Sequence, residues 1–326
     1  MLAATLAAVS LRRAPSLSHR QRAAAALDAE LARTSAEAAS LSGPAVRALA
    51  PVLTQARRET ATALRAWLRR EDGAARYTAQ KHRVVLAHLS AALSTVDRLD
   101  PTLLGALTTA SRAAGPMAAR HVTAEIARFD RRFGGAERPL PLNVARIVAT
   151  GQGALIPRFR TSAARYAVDV RRDIGRELAV SILRGESIAD MTARLAKLGG
   201  PRGPVALQGV AGEPGAVVEH IAEGLFRRYG WWGERIARTE TQRAYNEQVD
   251  ETLREAREVI PDLRRRWDAS LDLRVCKLCQ DLHGTTADIG GEFPGGVTDA
   301  PRHACCRCRC GAWRDEWAEF FRSQRA

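Results

Sequence analysis

Between Ser18 and about Gly135, apolar residues recur every three to four positions in an Ala-, Leu- and Arg-rich background with few β-branched runs, the period of helices. Val52, Ala56, Thr60, Leu64 and Leu68 make one such ladder. Ser42-Gly43-Pro44, Asp72-Gly73 and Gly115-Pro116 predict breaks between these helices, since Gly weakens a helix and Pro removes a backbone donor. FGGAERPLPLN, residues 133–143, predicts a boundary between an Ala/Arg-rich helical region over 1–135 and a second region over 144–326.

In the second region Val170, Ile174, Leu178 and Ile182 lay one apolar stripe on a helix that should end at Gly185. Ser187 and Asp190 supply a cap for the next helix, which carries Met191, Leu195 and Leu198. GGPRGPVALQGVAGEPG, 199–215, has too much Gly and Pro for regular structure and reads as an exposed loop or hinge. Val218, Ile221, Leu225, Trp232, Ile236, Val249 and Leu253 then predict one long helix or two collinear ones, with Gly230 and Gly233 a kink point and Pro261 the stop. WDASLDLRVC, 267–276, alternates sides and predicts a strand. The expected fold is mainly α, an N-terminal helical region followed by further helices and a small C-terminal α+β module at about 267–312.

With 326 residues and 46% hydrophobic content the chain can bury real cores. Its net charge of +14 is uneven: residues 1–150 hold 22 Lys/Arg against 11 Asp/Glu, the remainder 28 against 25. A basic half attracts polyanions such as DNA, or an acidic protein surface, although well-solvated arginine helices give the same composition. Arg57, Arg58, Arg65, Arg69 and Arg70 place several guanidiniums along one helix side, free to meet a partner or to pair with Glu59 and Glu71. No run of 18 apolar residues occurs, so no membrane span is expected. In MLAATLAAVSLRR the arginines follow the apolar patch, unlike a secretory signal. A reducing cytosol is therefore expected, where thiols bind metal more often than they crosslink. His82, His88 and His121 are scattered and read as ordinary histidines.

All six cysteines lie between 276 and 310. Cys276 and Cys279 form C-x-x-C, which lets two thiolates point at one ion about 2.3 Å away. His303 and Cys306, three apart, can add an imidazole and a third thiolate, completing a tetrahedral zinc set; Cys305, Cys308 and Cys310 compete for that last place, with Cys308 the first substitute. The Gly/Pro-rich loop between the halves has few apolar anchors, so such a metal would act as a structural staple. Three disulfides would need an oxidising compartment, and adjacent Cys305 and Cys306 pair only with strain. A thioredoxin-like pair lacks its α/β context. An open catalytic zinc site could call on Asp281, His283 and Glu292, but neither H-E-x-x-H nor H-x-E with P-C-x-x-C is present.

IARTETQRAYNEQ (236–248), then W-D-A-S-x-D-x-R-V-C-x-x-C, L-H-G, E-F-P-G-G and P-R-H-A-C-C-R-C, resembles the phage Mu F-like head morphogenesis family over about 165–312. The family's closing His, two residues and C-R-C fall on His303, Cys306, Arg307 and Cys308; Cys305 and Cys310 are additions, and Ala304 stands where proline is common. Arg238, Thr239 and Glu240, followed by Asn246, are the second signature; read from the residues alone, they are polar groups able to bind the strand of the zinc module or to form a separate site. The resemblance implies a non-enzymatic minor head protein in the virion or procapsid, assembled in the host cytoplasm, that associates with the portal protein and possibly scaffold or major capsid protein, and affects head assembly, DNA packaging or delivery. Contact with DNA would be non-specific. The rival reading is a metal-dependent, nuclease-like enzyme built on the cysteine module. A regulatory DNA-binding zinc module would need a recognition helix, and GAWRDEWAEFF after Cys310 carries no basic surplus.

Overall fold

The computed structural model describes residues 32–129, 140–197, 214–270 and 274–317. Helix α1 covers residues 32–40, followed by α2 (Ser42–Leu68), α3 (Ala79–His88), α4 (Ser90–Asp97), α5 (Leu99–Phe129), α6 (Val144–Arg184), α7 (Ile188–Lys197) and α8 (Pro214–Arg257). The C-terminal part adds strand β1 (Arg264–Asp268), a short α9 (Lys277–Gln280), β2 (Thr286–Ala287) and β3 (Arg309–Trp313). These form one antiparallel sheet in the order β2-β1-β3, with Trp267 opposite Cys310 and Asp268 opposite Arg309. The fold is mainly α with a small α+β module at its C-terminal end. No helix among the described residues is long and apolar enough to cross a membrane.

Two apolar cores meet along α5 and α8. The larger joins Leu49, Leu64 and Trp67 of α2 to Leu103 and Leu107 of α5, Phe159 and Tyr166 of α6, Met191 of α7 and Ile221 and Tyr229 of α8. The smaller sets Ala118 and Val122 of α5 and Tyr245, Val249 and Leu253 of α8 against Trp267, Phe293, Cys306, Cys308 and Cys310 of the module. Both therefore draw on residues before and after 133–143; residues 133–139 of that stretch lie outside the described residues, as do 199–213 of the predicted loop and the N-terminal apolar patch. At about 1.5–3 kcal/mol per fully buried large apolar side chain, the larger core, which contains none of the cysteines, is a major stabilising contribution to the helical body.

Several boundaries follow local chemistry. Gly185 takes the left-handed conformation at φ 63°, its amide bonding Ile182 O at 3.1 Å while Glu186 N bonds Ser181 O at 3.0 Å, a Schellman ending. Ser187 Oγ accepts from Asp190 N at 3.1 Å and the Asp190 carboxylate accepts from Ser187 N at 3.3 Å, closing a reciprocal cap on α7. The turn at Asp72-Gly73 separates α2 from α3.

Four expectations change. At Ser42-Gly43-Pro44 the interruption is a single residue, Leu41, and Pro44 sits in the first turn of α2, where its missing N–H has no intrahelical partner to lose. Gly115-Pro116 does not break α5: a Cβ at Gly115 would lie 2.2 Å from Val148 Cγ2 of α6 and 3.0 Å from Gln248 Oε1 of α8, so the glycine marks a close helix crossing whose packing outweighs the hydrogen bond lost at Pro116. Gly233 plays the same part inside a continuous α8, where a Cβ would stand 2.7 Å from Tyr166 Oη. The strand expected over 267–276 runs instead over Arg264–Asp268, and α9 begins straight after Cys276; residues 271–273 lie outside the described residues. Arg265 and Arg266 of this strand are buried.

Candidate metal centre

Two turns bring the donors together. Cys276 precedes α9 in extended conformation, and its carbonyl accepts from Cys279 N and Gln280 N at 3.0 Å each, which wraps the C-x-x-C around one turn. On the second turn Cys306 N bonds His303 O at 3.1 Å. Between them Cys305 adopts φ 58°, a left-handed conformation that costs a non-glycine residue roughly 1–2 kcal/mol. The Thr239 hydroxyl of α8 offsets this by accepting the Cys305 N–H at 3.0 Å.

Cys276 Sγ and Cys279 Sγ lie 3.2 and 3.3 Å from His303 Nε2, and Cys279 Sγ lies 3.8 Å from Cys306 Sγ. Cys276, Cys279 and His303 form one group of mutually close donors; Cys279, Cys306 and Cys308 form a second, so Cys279 belongs to both. Thiolates about 2.3 Å from one tetrahedral ion stand about 3.8 Å apart, the separation of Cys279 and Cys306. His303 Nδ1 is 2.9 Å from the Ala304 carbonyl, which takes its N–H and leaves the Nε2 lone pair facing the sulfurs, the arrangement of a metal-binding imidazole. These residues can hold a metal ion.

The electrostatics point the same way. A hydrogen bond from Cys308 brings the Cys306 thiol down to about 5, against the opposing effect of burial. Burial and the charge on Cys306 push Cys279 up to about 12, while the bond to Cys306 and then burial drive Cys308 well above the usual thiol range. Without a cation, the negative Cys306 sulfur thus opposes ionisation of Cys279 and Cys308; a divalent ion removes that conflict by stabilising every thiolate at once. Cys310, fully buried against Asp299 at 3.5 Å, and Cys305 stand outside both donor groups.

The signature residues of α8 divide in two. Asn246 clamps the strand that follows the cysteines: its Oδ1 accepts from Cys310 N at 2.8 Å and its Nδ2 donates to Cys308 O at 3.3 Å and Gln242 O at 2.9 Å. Thr239 holds Cys305, as described. Arg238 instead pairs with Glu234 at 2.5 Å in the open, and Glu240 accepts from Arg158 and Arg243 at 3.1 and 2.9 Å, away from the sulfurs. Sequence reasoning missed Gln242, whose Nε2 also donates to Cys308 O at 2.9 Å; its position four residues before Asn246 on the same helix face was the available signal. Replacing Asn246 by Ala leaves the buried Cys310 N–H without its acceptor, so a loss of about 1–3 kcal/mol is expected in denaturant unfolding of the whole chain. An unchanged midpoint would show that the clamp carries no stability.

Behind the sulfurs lies a layer of buried charge that the sequence did not reveal. Arg309 of β3 meets Asp268 of β1 at 3.1 Å and forms a very short ion pair with Glu125 of α5, whose other oxygen accepts from Ala312 N at 2.9 Å. Arg266 binds Asp268 at 2.7 and 3.2 Å, and Arg265 pairs with Asp250 of α8 at 2.9 Å while lying over the Phe293 ring at 4.8 Å. The groups that an open catalytic site would use are placed differently: His283 Nδ1 accepts from Ala269 N at 3.2 Å, and neither donor group includes a carboxylate.

A helical body whose longest helix clamps a cysteine/histidine module defines a structural class in which the module is read through its donors and its docking helix. Residues 172–311 match the family model described as phage Mu protein F like protein. Over that stretch, which contains α8, most of the sheet and every metal donor, the chain is similar to the Mu F-like head morphogenesis family. Neither the comparison with curated proteins nor that with solved structures found a match.

Proposed function

We propose that the chain is a minor head protein of a tailed phage, a non-catalytic assembly factor that docks on the portal vertex and acts in procapsid assembly and in DNA packaging or delivery. The observation that carries this reading is the coincidence of the family match with the cysteine module and the α8 residues that grip it. In this reading zinc is structural, held by Cys276, Cys279, His303 and Cys306, with Cys308 able to replace Cys306. The metal's chemistry is to stabilise thiolates; the chain's own residues fix their positions.

Contact with packaged DNA is the weaker half of the proposal. Arg65 is engaged by Glu219 at 2.6 Å, while Glu59 and Glu71, suggested as arginine partners, bond Thr95 and Lys81 instead. That leaves Arg57, Arg58, Arg69 and Arg70 as the cations of this set without a carboxylate partner among the described residues, with Arg58, Arg69 and Arg70 exposed. The expected phenotype of a phage lacking this gene is failure to produce DNA-filled heads, with the protein found in procapsids in few copies and retained by purified portal. Normal infectious particles without the protein would overturn the assembly role. Metal-dependent cleavage of nucleic acid by the purified chain, abolished by Cys279→Ser, would favour the nuclease-like alternative.

A further inference from the structure

The signature residues Thr239, which holds the Cys305 backbone, and Glu240 share a second feature. Together with Arg165, Trp232 and Arg235 they line a cleft of about 380 Å³ between α6 and α8, closed at one end by Ala304 of the cysteine module. Its floor is rigid: Tyr166 meets Trp232 edge to face at 5.9 Å and donates its hydroxyl to Tyr229 O at 2.7 Å. Its carboxylates are already engaged, Asp169 by Arg172 at 2.5 Å and Glu240 by Arg158 and Arg243. Arg165 and Arg235, by contrast, have no carboxylate within ion-pair distance among the described residues, and both are exposed. Arg235 stands over the ring of Trp231 at 5.5 Å, and Trp231 is itself 60% exposed, a large apolar ring left at the rim.

We infer that this cleft is a docking site for an extended acidic segment of a protein partner, one that places carboxylates on Arg165 and Arg235 and an apolar side chain against Trp232. Three observations select that occupant. Trp, Tyr and Arg gathered in a concave site are the residue types that dominate protein–protein recognition. Two unpaired guanidiniums match carboxylates in a bidentate fork. The paired Asp169 and Glu240 in the lining suit a peptide, whose backbone N–H groups can donate to them, and disfavour a phosphodiester strand, which offers no donors along its backbone and would bring further negative charge against them. A site of this volume holds a few side chains, not a duplex.

This deepens the head-assembly reading by giving a surface and a partner chemistry, but its test needs no phage and can fail independently. A fluorescein-labelled peptide of alternating glutamate and leucine, its lysine/leucine counterpart and a short DNA duplex are titrated against the full chain by fluorescence anisotropy. The acidic peptide is expected to bind and the basic one not, and Arg165→Glu with Arg235→Glu is expected to weaken binding on the order of a hundredfold, since close charge pairs at an interface couple strongly. Trp231→Ala should weaken it less, and Arg69→Glu with Arg70→Glu, which makes the same change in net charge elsewhere, should leave it within a factor of about two. Both cleft arginines are exposed, so circular dichroism of the double variant should match the parent. Equal loss in the two charge-reversed variants would reduce the effect to net charge and overturn the cleft. So would absence of acidic-peptide binding, or displacement of the peptide by the duplex with dependence on the same two arginines, which would make the cleft a nucleic-acid face.

Discussion

Cys279→Ser is expected to abolish zinc retention and unfold the module, a larger effect than substitution of any other single donor, because Cys279 alone belongs to both groups of close donors. Zinc binding in isolated modules contributes on the order of 10–16 kcal/mol, comparable with the whole stability of a typical domain. Cys308→Ser is expected to be mild by comparison, since Cys276, Cys279, His303 and Cys306 still supply four donors. Metal analysis of the purified variants checks the stoichiometry, and limited proteolysis with and without chelator locates the loosened region. From the sequence, the region after about Trp267 should loosen while the Ala-rich helices before Pro139 stay folded. The structure widens that expectation: Ala118 and Val122 of α5 and Tyr245 and Val249 of α8 share their core with Cys306, Cys308 and Cys310, so those helix segments should also gain cleavage, while α2, α6 and α7 around Trp67, Phe159 and Met191 stay protected. Full zinc retention in Cys279→Ser would remove the proposed centre; uniform cleavage after chelation would show that the two cores do not unfold separately.

How far the sequence reached depended on whether a signal was local. The stripe Val170, Ile174, Leu178, the left-handed stop at Gly185 and the Ser187–Asp190 cap are each written within a few residues, and the structure shows them in place. The cysteine and histidine spacing is likewise local, and the structure brings Cys276, Cys279, His303, Cys306 and Cys308 to one place. Gly115-Pro116 misled because its role is a contact with α6 and α8, more than thirty residues distant at the nearest. The role of the run Arg264-Arg265-Arg266 has no local signal either. A charged run usually marks a solvated face, and carboxylates distant in sequence, Asp250 on Arg265 and Asp288 on Arg264, together with Asp268 on Arg266, let this one form a strand with Arg265 and Arg266 buried. Such complementarity leaves no periodic trace in the chain.

Glu125→Ala should destabilise the fold by about 3–5 kcal/mol, the usual effect of removing one partner from a buried ion pair. The Glu125 carboxylate joins α5 to β3 twice, through Arg309 and through the Ala312 amide, and both ends are buried. Without it Arg309 must share Asp268 with Arg266, and Ala312 N–H loses its acceptor inside the second core. Substitution of Gly311 should fail for the same geometric reason: a Cβ there would stand 2.7 Å from Asp268 Oδ2 and 2.8 Å from Glu125 Oε2. Asp268, in the same cluster, sets a pH dependence. Burial alone would raise the Asp268 carboxyl, but the guanidiniums of Arg266 and Arg309 outweigh it and hold the group below the usual range. A carboxyl lowered on folding contributes stability above its unfolded value of about 3.9 and loses it as pH falls through the folded value, so this contribution is intact at neutral pH and disappears in strong acid. Arg309→Ala alone should resemble Glu125→Ala, and the double variant should cost less than the two singles added, because the second change no longer strands a charge. Strict additivity in chemical denaturation would mean that Glu125 and Arg309 act independently, and that α5 is joined to the module by apolar packing alone.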